Sequence, residues 1–258
     1  RDRSVSRGLG DVYKRQRRIF TAIVFTRLQN FPILRQEERK FSHMAEYDFQ
    51  KMQKKLAKYL DEDRFHHTLG VMYTSAALAM AHGCDLKEAQ AAGLLHDSAK
   101  CIPNKKKLKM CSEHKIPVSS FEKEHPFLLH SKLGAYLARA KYGIKNEEIL
   151  SAITCHTTGK PDMTVLEKIL YIADYIEPMR DKAPRLGEIR KLAFSDLDEC
   201  MYAILKDTIT YLEQGAGTGE IDDASREAYA FYGALHERRI ESGELSPGKE
   251  NQQNGTRI

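Results

Sequence analysis

The stretch AGLLHDSAK at 92–100 decides how the chain is interpreted, because a run of small and apolar residues leads directly into His96 and Asp97. Asp85 and Glu88 precede this run at the spacing of a helix-capping arrangement, which predicts a helix from about 85 to 96. An imidazole or a carboxylate that is buried without a partner is costly, so both side chains need one. The stretch therefore indicates a buried polar site at a helix end.

The helical pattern extends along the chain on both sides of this stretch. From Met44 onward apolar residues recur at helical spacing, and the alternation typical of strands is missing. Gly83 and Gly143 suit helix C-terminal caps, Thr164 with Glu167 is a capping box, and Ser195 heads a further helix. We predict an all-α protein with one domain and a polar, Lys-rich connection at 101–124. The predicted helices cover about 46–60, 64–81, 85–96, 128–142, 146–156, 165–177, 195–213 and 224–240.

The charge of the chain is unevenly distributed. Residues 1–43 hold 11 Lys and Arg against 4 Asp and Glu, a net charge of +7. Because the whole chain carries +5, the body of the chain, residues 44–258, carries a net charge of −2. The stretch SVSRGLGDVYKRQ resembles translated adapter sequence, and we expect 1–43 to be a non-native or disordered leader that precedes a native start at Met44. A targeting peptide is the competing interpretation, although no A-x-A cleavage site follows. We expect one folded domain over 44–240 and a disordered tail over 241–258.

Composition excludes several classes of protein. The five cysteines form no C-x-x-C pair, which argues against a disulfide framework or a zinc ribbon and favours a cytoplasmic protein with reduced thiols. The longest apolar run, 19–25, is too short to span a membrane. The glycines at 215–219 follow a helix and read as a linker rather than a phosphate loop. An acidic body lacks the electrostatic footprint of nucleic-acid binding.

Polar side chains occupy positions on the apolar faces of the predicted helices. Imidazole nitrogen and carboxylate oxygen together suit Fe, Mn, Co or Zn and disfavour Ca. Neighbouring residues on a helix diverge by about 100°, so His96 and Asp97 reach one ion only at a helix end. A short aspartate can also bridge two ions, which would let Asp97 serve a dinuclear centre. The six candidate ligands are His67, His96, Asp97, His130, His156 and Asp174.

Five motifs, in order, give the chain a family resemblance. They are RxxHTLGV at 64–71, AGLLHDSAK at 92–100, LLHSKLGA at 128–135, HTTG at 156–159 and YIADYIEPMR at 171–180. The chain resembles the HD-domain phosphohydrolases, and in particular their YqeK-type branch, the symmetrical bis(5′-nucleosyl)-tetraphosphatases. The resemblance implies an HD-domain helical bundle that hydrolyses diadenosine tetraphosphate into two ADP by metal-activated water.

The resemblance also implies a ligand set. One metal would be held by His67, His96, Asp97 and Asp174, and His130 and His156 would complete a second site that shares Asp97. His125 lies five residues before His130 and could replace it. The family likeness favours two Fe ions, and Mn, Co or Zn can also occupy HD sites.

Three further residues are candidates for contact with the substrate. We expect Lys100 and Thr157 to contact the attacked phosphate and to take part in catalysis together with Asp97. We expect Arg180 to bind substrate. Lys100 could instead be an exposed helix-end lysine, Thr157 could merely end its helix, and Arg64 and Arg180 could pair with carboxylates such as Glu177.

Two other functions stay open at this point. A nucleotidase or dNTP phosphohydrolase could use the same metal site on mononucleotides. A non-catalytic metal- or nucleotide-binding signalling module would be favoured by the loss of a ligand, and none of the six is missing. The expected partner is a dinucleoside polyphosphate, with neither nucleic acid nor membrane, and a homodimer is possible. Tyr229, Phe231 and Tyr232 could stack on a base, although their spacing is more typical of core or subunit contacts.

Overall fold

Helices form all the regular structure in the part of the chain that the computed structural model describes, residues 47–214 and 220–245. The predicted all-α class is therefore confirmed. The elements are α1 (Phe49–Leu56), α2 (Glu62–His82), α3 (Leu86–Leu95), α4 (Asn104–Glu113), α5 (Ser120–Glu124), a 3₁₀ turn (Pro126–Leu129), α6 (His130–Tyr142), α7 (Glu147–Cys155), α8 (Val165–Ile176), α9 (Leu186–Ala193), α10 (Leu197–Glu213) and α11 (Asp223–Glu241).

Capping residues set several of these boundaries as the sequence predicts. Gly83 ends α2 with a φ of 68°, a left-handed conformation that glycine adopts without steric cost. The Thr164 hydroxyl accepts from the Glu167 N–H while the Glu167 carboxylate accepts from the Thr164 N–H, so the capping box is present. The prediction for Ser195 is wrong. Asp196 caps α10, because its carboxylate accepts the N–H groups of the first turn.

The predicted connection at 101–124 contains two helices, α4 and α5, and is the largest error in the predicted fold. Lysine has a high helix propensity, but a run of lysines obscures the periodic pattern of apolar residues on which the prediction depends. The buried residues of α4 are Lys107 and Cys111, one turn apart, and the lysine gives no hydropathy signal. The predicted helix at 128–142 is split, since a 3₁₀ turn precedes α6, and α9 was not predicted.

The helices pack so that their polar ends come close to one another. Helix α2 packs against α3 and α8, and α7 packs against α6 and α8. A Cβ atom at Gly93 would lie 2.8 Å from Met72 Cα, so this glycine allows α3 to touch the backbone of α2. The contact fixes the C-terminal end of α3 against the middle of α2, and the ring centroids of His67 and His96 lie 5.4 Å apart. His96 and His67 are thereby brought to the same end of the helical core.

Some sequence predictions lie outside the described residues. These concern the leader 1–43, the start at Met44, the linker 215–219 and most of the tail 241–258. Asp48 marks the start of the compact unit that contains all the helices given above. Within the described ranges, each helix is too short or too polar to cross a bilayer.

Candidate metal centre

Three of the four histidines at the site follow the last turn of a helix. His96 caps α3, His156 caps α7, and His130 lies at the junction between the 3₁₀ turn and α6. The last carbonyls of a helix lack partners within the helix. Each of these rings bonds a carbonyl of this last turn, with its Nδ1 atom 2.7 Å from the carbonyl oxygen three residues earlier. The acceptors are Gly93, Phe127 and Ile153.

This arrangement determines where the protons of the rings lie. A carbonyl oxygen only accepts, so Nδ1 carries the proton in each ring and Nε2 of the neutral ring carries a lone pair. The Nε2 atoms of His130 and His156 nevertheless face each other at 3.2 Å. Two lone pairs at this distance repel each other unless a cation or a donated proton lies between them and their neighbours.

Asp97 lies at the centre of the four imidazoles and is almost completely buried. Its Oδ1 atom is 3.3 Å from Nε2 of His130 and 3.7 Å from Nε2 of His156. Its Oδ2 atom is 3.4 Å from Nε2 of His96 and 3.8 Å from Nε2 of His67. Each carboxylate oxygen therefore faces a different pair of rings, which is the arrangement of a ligand that serves two ions.

The fourth histidine, His67, lies inside helix α2 rather than at its end. Its Nδ1 atom is 3.0 Å from Oε1 of Glu177, and its Nε2 atom is 3.0 Å from Oδ1 of Asp174. Asp174 comes from the last turn of α8, and Nε2 of His96 is 3.9 Å from the same oxygen. The structure thus brings all six predicted ligands into one cluster.

The donor atoms of this cluster fit divalent cations. Nε2 of His67, Nε2 of His96 and Oδ1 of Asp97 are buried and lack a well-aligned hydrogen bond. Leaving such groups unsatisfied costs about 1–3 kcal/mol each, and a bound cation would satisfy them. Three ligand groups, with donor atoms within 4.8 Å of one another, are present: His67, His96 and Asp97; His96, His156 and Asp174; and Asp97, His130 and His156.

The electrostatics keep three of the ligands, Asp97, Asp174 and His130, in the protonation states that a metal requires. Burial raises the pKa of Asp97, but His96, His156 and nearby Lys100 outweigh burial and hold that pKa well below its usual range. Asp174 follows the same pattern: burial raises its pKa, and His67 and His96 reverse the shift. Burial, followed by the neighbouring His156 and Lys100, lowers the pKa of His130 to about 3. At neutral pH both carboxylates are charged and His130 is neutral, as ligands must be.

Polar side chains at the edge of the cluster come from the predicted substrate-binding set. Lys100 Nζ and Thr157 Oγ1 each lie 3.2 Å from Nε2 of His130, towards which they donate. Arg180 Nη2 lies 2.8 Å from Oδ1 of Asp174, and Arg64 Nη1 lies 2.9 Å from Oδ2 of Asp97. Both arginines therefore pair with carboxylates, as the sequence allowed, but their partners are the ligand aspartates rather than Glu177.

A cavity of about 450 Å³ adjoins the cluster. This volume lies in the range of small-molecule sites. Its walls combine aromatic, hydroxyl and cationic groups beside two of the ligands. They are formed by His156, Thr157, Tyr171, Asp174, Tyr175, Met179, Arg180, Asp181, Lys182, Ala183 and Thr208.

The remaining candidates lie apart from this cluster. His125 Nε2 is 2.7 Å from Oε2 of Glu220, in a separate group with Glu124, so the structure places His130 rather than His125 at Asp97. His66, next to His67, is exposed. Tyr232 is buried, where its hydroxyl accepts from the Met163 N–H, and lies in the core.

The sequence did not identify Glu177 as the partner of a candidate metal ligand, His67. Glu177 is 1% exposed and holds His67, yet its sequence context shows only the end of α8 before Pro178. The signal that could have found it is a carboxylate that directly follows the apolar face of a helix, in the same motif as Asp174.

Comparison with known proteins agrees with this fold and site. The HD domain model matches residues 64–179. A crystal structure of an HD-superfamily hydrolase from Clostridium acetobutylicum, described as involved in NAD metabolism, superposes with a TM-score of 0.70 and 35% identity. The match covers 73% of this chain and 98% of that one. Fold and site together therefore define an HD-domain protein with a His/Asp cluster that could hold metal ions.

Two curated relatives narrow the family further. The symmetrical bis(5′-nucleosyl)-tetraphosphatase of Bacillus subtilis is 42% identical over 153 residues, which cover 59% of this chain and 81% of the relative. The enzyme of the same name from Halalkalibacterium halodurans is 40% identical over 154 residues, which cover 60% and 81%. The chain belongs to the HD-domain family, in the branch of the symmetrical bis(5′-nucleosyl)-tetraphosphatases.

Proposed function

We propose that the chain hydrolyses diadenosine tetraphosphate and related dinucleoside polyphosphates symmetrically, to two nucleoside diphosphates. The observation that carries the proposal is Asp97, whose two oxygens face two pairs of imidazoles beside a polar cavity. The identity of 40–42% to two relatives named for this activity supports the substrate class. Residues 44–240 are the proposed catalytic domain.

The metal ligands divide into two sets. The first ion position consists of His67, His96, Asp97 and Asp174, and the second ion position consists of Asp97, His130 and His156. When bound, divalent cations supply Lewis acidity: they lower the pKa of water towards about 7 and neutralise charge on phosphoryl oxygens. We propose two iron ions per chain, and Mn, Co or Zn suits the same donors.

Side chains around the ligands bind and orient the polyphosphate. The Lys100 ammonium and the Thr157 hydroxyl, both 3.2 Å from Nε2 of His130, donate to oxygens of the attacked phosphate. Arg180 and Lys182 line the cavity and bind the neighbouring phosphates. The cavity accommodates one nucleoside, with Tyr171 and Tyr175 in its wall. Together these groups place a central phosphate, rather than a terminal one, at the ligands.

The proposal is tested with the full chain, loaded with Fe(II) or Mn(II) and incubated with diadenosine tetraphosphate in ¹⁸O-labelled water. We expect ADP as the only nucleotide product, with one ¹⁸O atom in half of the ADP. Formation of ATP and AMP would contradict symmetrical cleavage. The matched pair His67→Ala and His66→Ala excludes a contaminating hydrolase, since these residues are neighbours on α2 and only His67 faces the cluster.

The same assay separates the two other functions that the sequence leaves open. An HD-type nucleotidase or dNTP phosphohydrolase would release phosphate or triphosphate from mononucleotides faster than ADP from the dinucleotide. A non-catalytic binding module would retain the metal and turn over none of these substrates.

A further inference from the structure

The four histidines of the centre are held in two different ways. His96, His130 and His156 each donate Nδ1–H to a backbone carbonyl at a helix end, at 2.7 Å. His67 lies in the second turn of α2, where the neighbouring carbonyls are already used by the helix. It requires a partner from elsewhere in the fold, and that partner is the charged Glu177, 3.0 Å from Nδ1.

Glu177 is held in place from three directions. Its Oε2 atom accepts the N–H of Met179 at 2.7 Å. Its carbonyl accepts from Nη2 of Arg190 at 3.0 Å, and Nε of the same arginine donates to Ile176. Arg190 belongs to α9, so this helix fixes the segment that follows α8. The Met179 N–H therefore holds the carboxylate, and Arg190 holds the backbone that carries it.

Gly70 provides the space for this carboxylate. A Cβ atom on Gly70 would clash with Oε2 of Glu177 and lie 3.2 Å from its Cδ atom. Gly70 lies one turn after His67 on α2, on the same side of the helix. The absence of a side chain at this position is what allows a carboxylate to reach His67.

Charge also differs between the two ion positions. The first has the carboxylates of Asp97 and Asp174, with Glu177 directly behind His67. The second has Asp97 alone, with the Lys100 ammonium 3.2 Å from Nε2 of His130 and 3.8 Å from Oδ1 of Asp97. The first position also has two cations, because Arg64 Nη1 lies 2.9 Å from Oδ2 of Asp97 and Arg180 Nη2 lies 2.8 Å from Oδ1 of Asp174. Three carboxylates thus face two guanidinium groups at the first position, whereas one carboxylate faces one ammonium group at the second. A cation at the first position is therefore attracted by the larger excess of negative charge, and Glu177 supplies that excess.

We propose that Glu177 is a positioning residue for the first ion position. It keeps the proton of His67 on Nδ1 so that Nε2 faces the ion, and its charge makes the first position the tighter of the two. The inference rests on the metal centre of the proposed function. A carboxylate behind a ligating histidine raises the basicity of that ligand, and its loss typically costs about 10–100-fold in metal affinity.

The first test is the Nδ1–H proton of His67 in the zinc-loaded full chain, which is diamagnetic and suits NMR. We expect His67 to give the most downfield Nδ1–H resonance of the four histidine ligands, because only its proton is donated to a carboxylate. Glu177→Ala should move or broaden this resonance and leave those of His130 and His156 in place. An Nδ1–H resonance of His67 that is unchanged in Glu177→Ala would overturn the proposal.

The second test is a zinc titration against a competing chelator, which resolves the two ions by affinity. In Glu177→Ala and Glu177→Gln we expect the tighter ion to bind about 10–100-fold more weakly and the weaker ion to be unaffected. Gly70→Ala, which displaces the carboxylate without removing it, should act in the same direction. Gly187→Ala is the matched control, since a Cβ on this helical glycine meets open space.

The outcomes distinguish a failure of the proposed role of Glu177 from a failure of the metal centre itself. Equal weakening of both ions, or no weakening in variants whose circular dichroism and melting match the native chain, would overturn the role of Glu177. Should Glu177→Ala fail to fold, Glu177→Gln and Gly70→Ala carry the same comparison. A native chain that takes up no zinc would instead contradict the metal centre, and with it the proposed function.

Discussion

Two groups of shielded polar residues in this molecule have opposite hydrogen-bonding states. In the metal centre, Nε2 of His67, Nε2 of His96 and Oδ1 of Asp97 are buried without a hydrogen-bond partner. The Arg239 cluster, at the start of α10 and the end of α11, gathers a similar number of charges that are paired with one another. It consists of Asp196, Glu199, His236, Arg239 and Glu244.

The contacts of the Arg239 cluster show how fully it is paired. Arg239 donates to Oδ2 of Asp196 at 2.7 Å, to Oε1 of Glu199 at 3.2 Å and to Glu244 at 2.9 Å. The other oxygen of Glu199 is 2.7 Å from Nδ1 of His236. The remaining oxygen of Asp196 caps α10. The cluster therefore joins the start of α10 to the end of α11.

The comparison teaches that burial of a charged residue does not by itself indicate function. Charges that satisfy one another stabilise the fold, whereas buried lone pairs directed at a common point require a ligand. The two clusters should therefore respond in opposite ways to substitution: the metal centre through activity and metal binding, and the Arg239 cluster through stability.

The largest expected effect is the loss of activity in Asp97→Ala. This substitution removes a ligand from both ion positions, and the stabilisation that metal ions give a phosphoryl-transfer transition state is worth several kcal/mol. We expect turnover of diadenosine tetraphosphate to fall by about 1,000-fold or more. The measurement is the initial rate of ADP formation by the metal-loaded full chain. A rate within tenfold of the native chain would remove Asp97 from the centre.

The second effect is a gain of stability on metal loading. A ligand that binds only the folded chain stabilises it by about 2.7 kcal/mol at a concentration of 100 Kd. Denaturant unfolding with and without Mn(II) should show this gain in the native chain and in Arg239→Ala. The gain should be absent in Asp97→Ala. Equal gains in all three proteins would mean that the metal binds elsewhere.

The third effect is a loss of stability in Arg239→Ala without loss of activity. The substitution leaves the largely buried carboxylates of Asp196 and Glu199 without their arginine, at a cost of about 1–3 kcal/mol in the free energy of unfolding. Urea unfolding measures this loss. The control is Arg238→Ala, an exposed neighbour whose side chain reaches only the Ala234 carbonyl of its own helix. Equal losses in the two variants would argue against the cluster.

The smallest effect concerns pH. Burial raises the pKa of Asp196, but the hydrogen bonds from Arg239 and from the N–H groups of α10 outweigh it and lower that pKa below its ordinary value. A carboxylate whose pKa is depressed on folding stabilises the chain above its unfolded pKa of about 3.9, and this contribution is lost as the pH falls through the folded pKa. Asp196→Asn should therefore flatten the decline in stability below about pH 4. An unchanged slope would contradict the assignment.

Much of the fold follows from local signals in the sequence. Gly83, Gly143 and the Thr164–Glu167 capping box end or begin helices where predicted, because these residues act through their own backbone and first turn. The error at 101–124 has the opposite origin. Helix α4 turns Lys107 inward, and only tertiary packing decides that a lysine belongs on the buried side.

The residues of the site also differ in whether local sequence signals or tertiary packing determine their contacts. The six ligands stand out as polar residues on apolar faces, and the structure brings them together. Glu177 gives a similar local signal as a carboxylate directly after the apolar face of α8, but its pairing with His67 depends on Gly70 and Arg190, which lie on other helices. The pairing of Arg64 with Asp97 likewise depends on how α2 packs against α3.

The central claim is that six side chains from five helices hold two ions that share Asp97. The most direct test is an anomalous difference map from crystals of the Mn(II)-loaded full chain. We predict two peaks per chain, one ligated by His67, His96, Asp97 and Asp174 and the other by Asp97, His130 and His156. A map with no peak at Asp97, or with its only peak at the exposed group of Glu124, His125 and Glu220, would contradict the account.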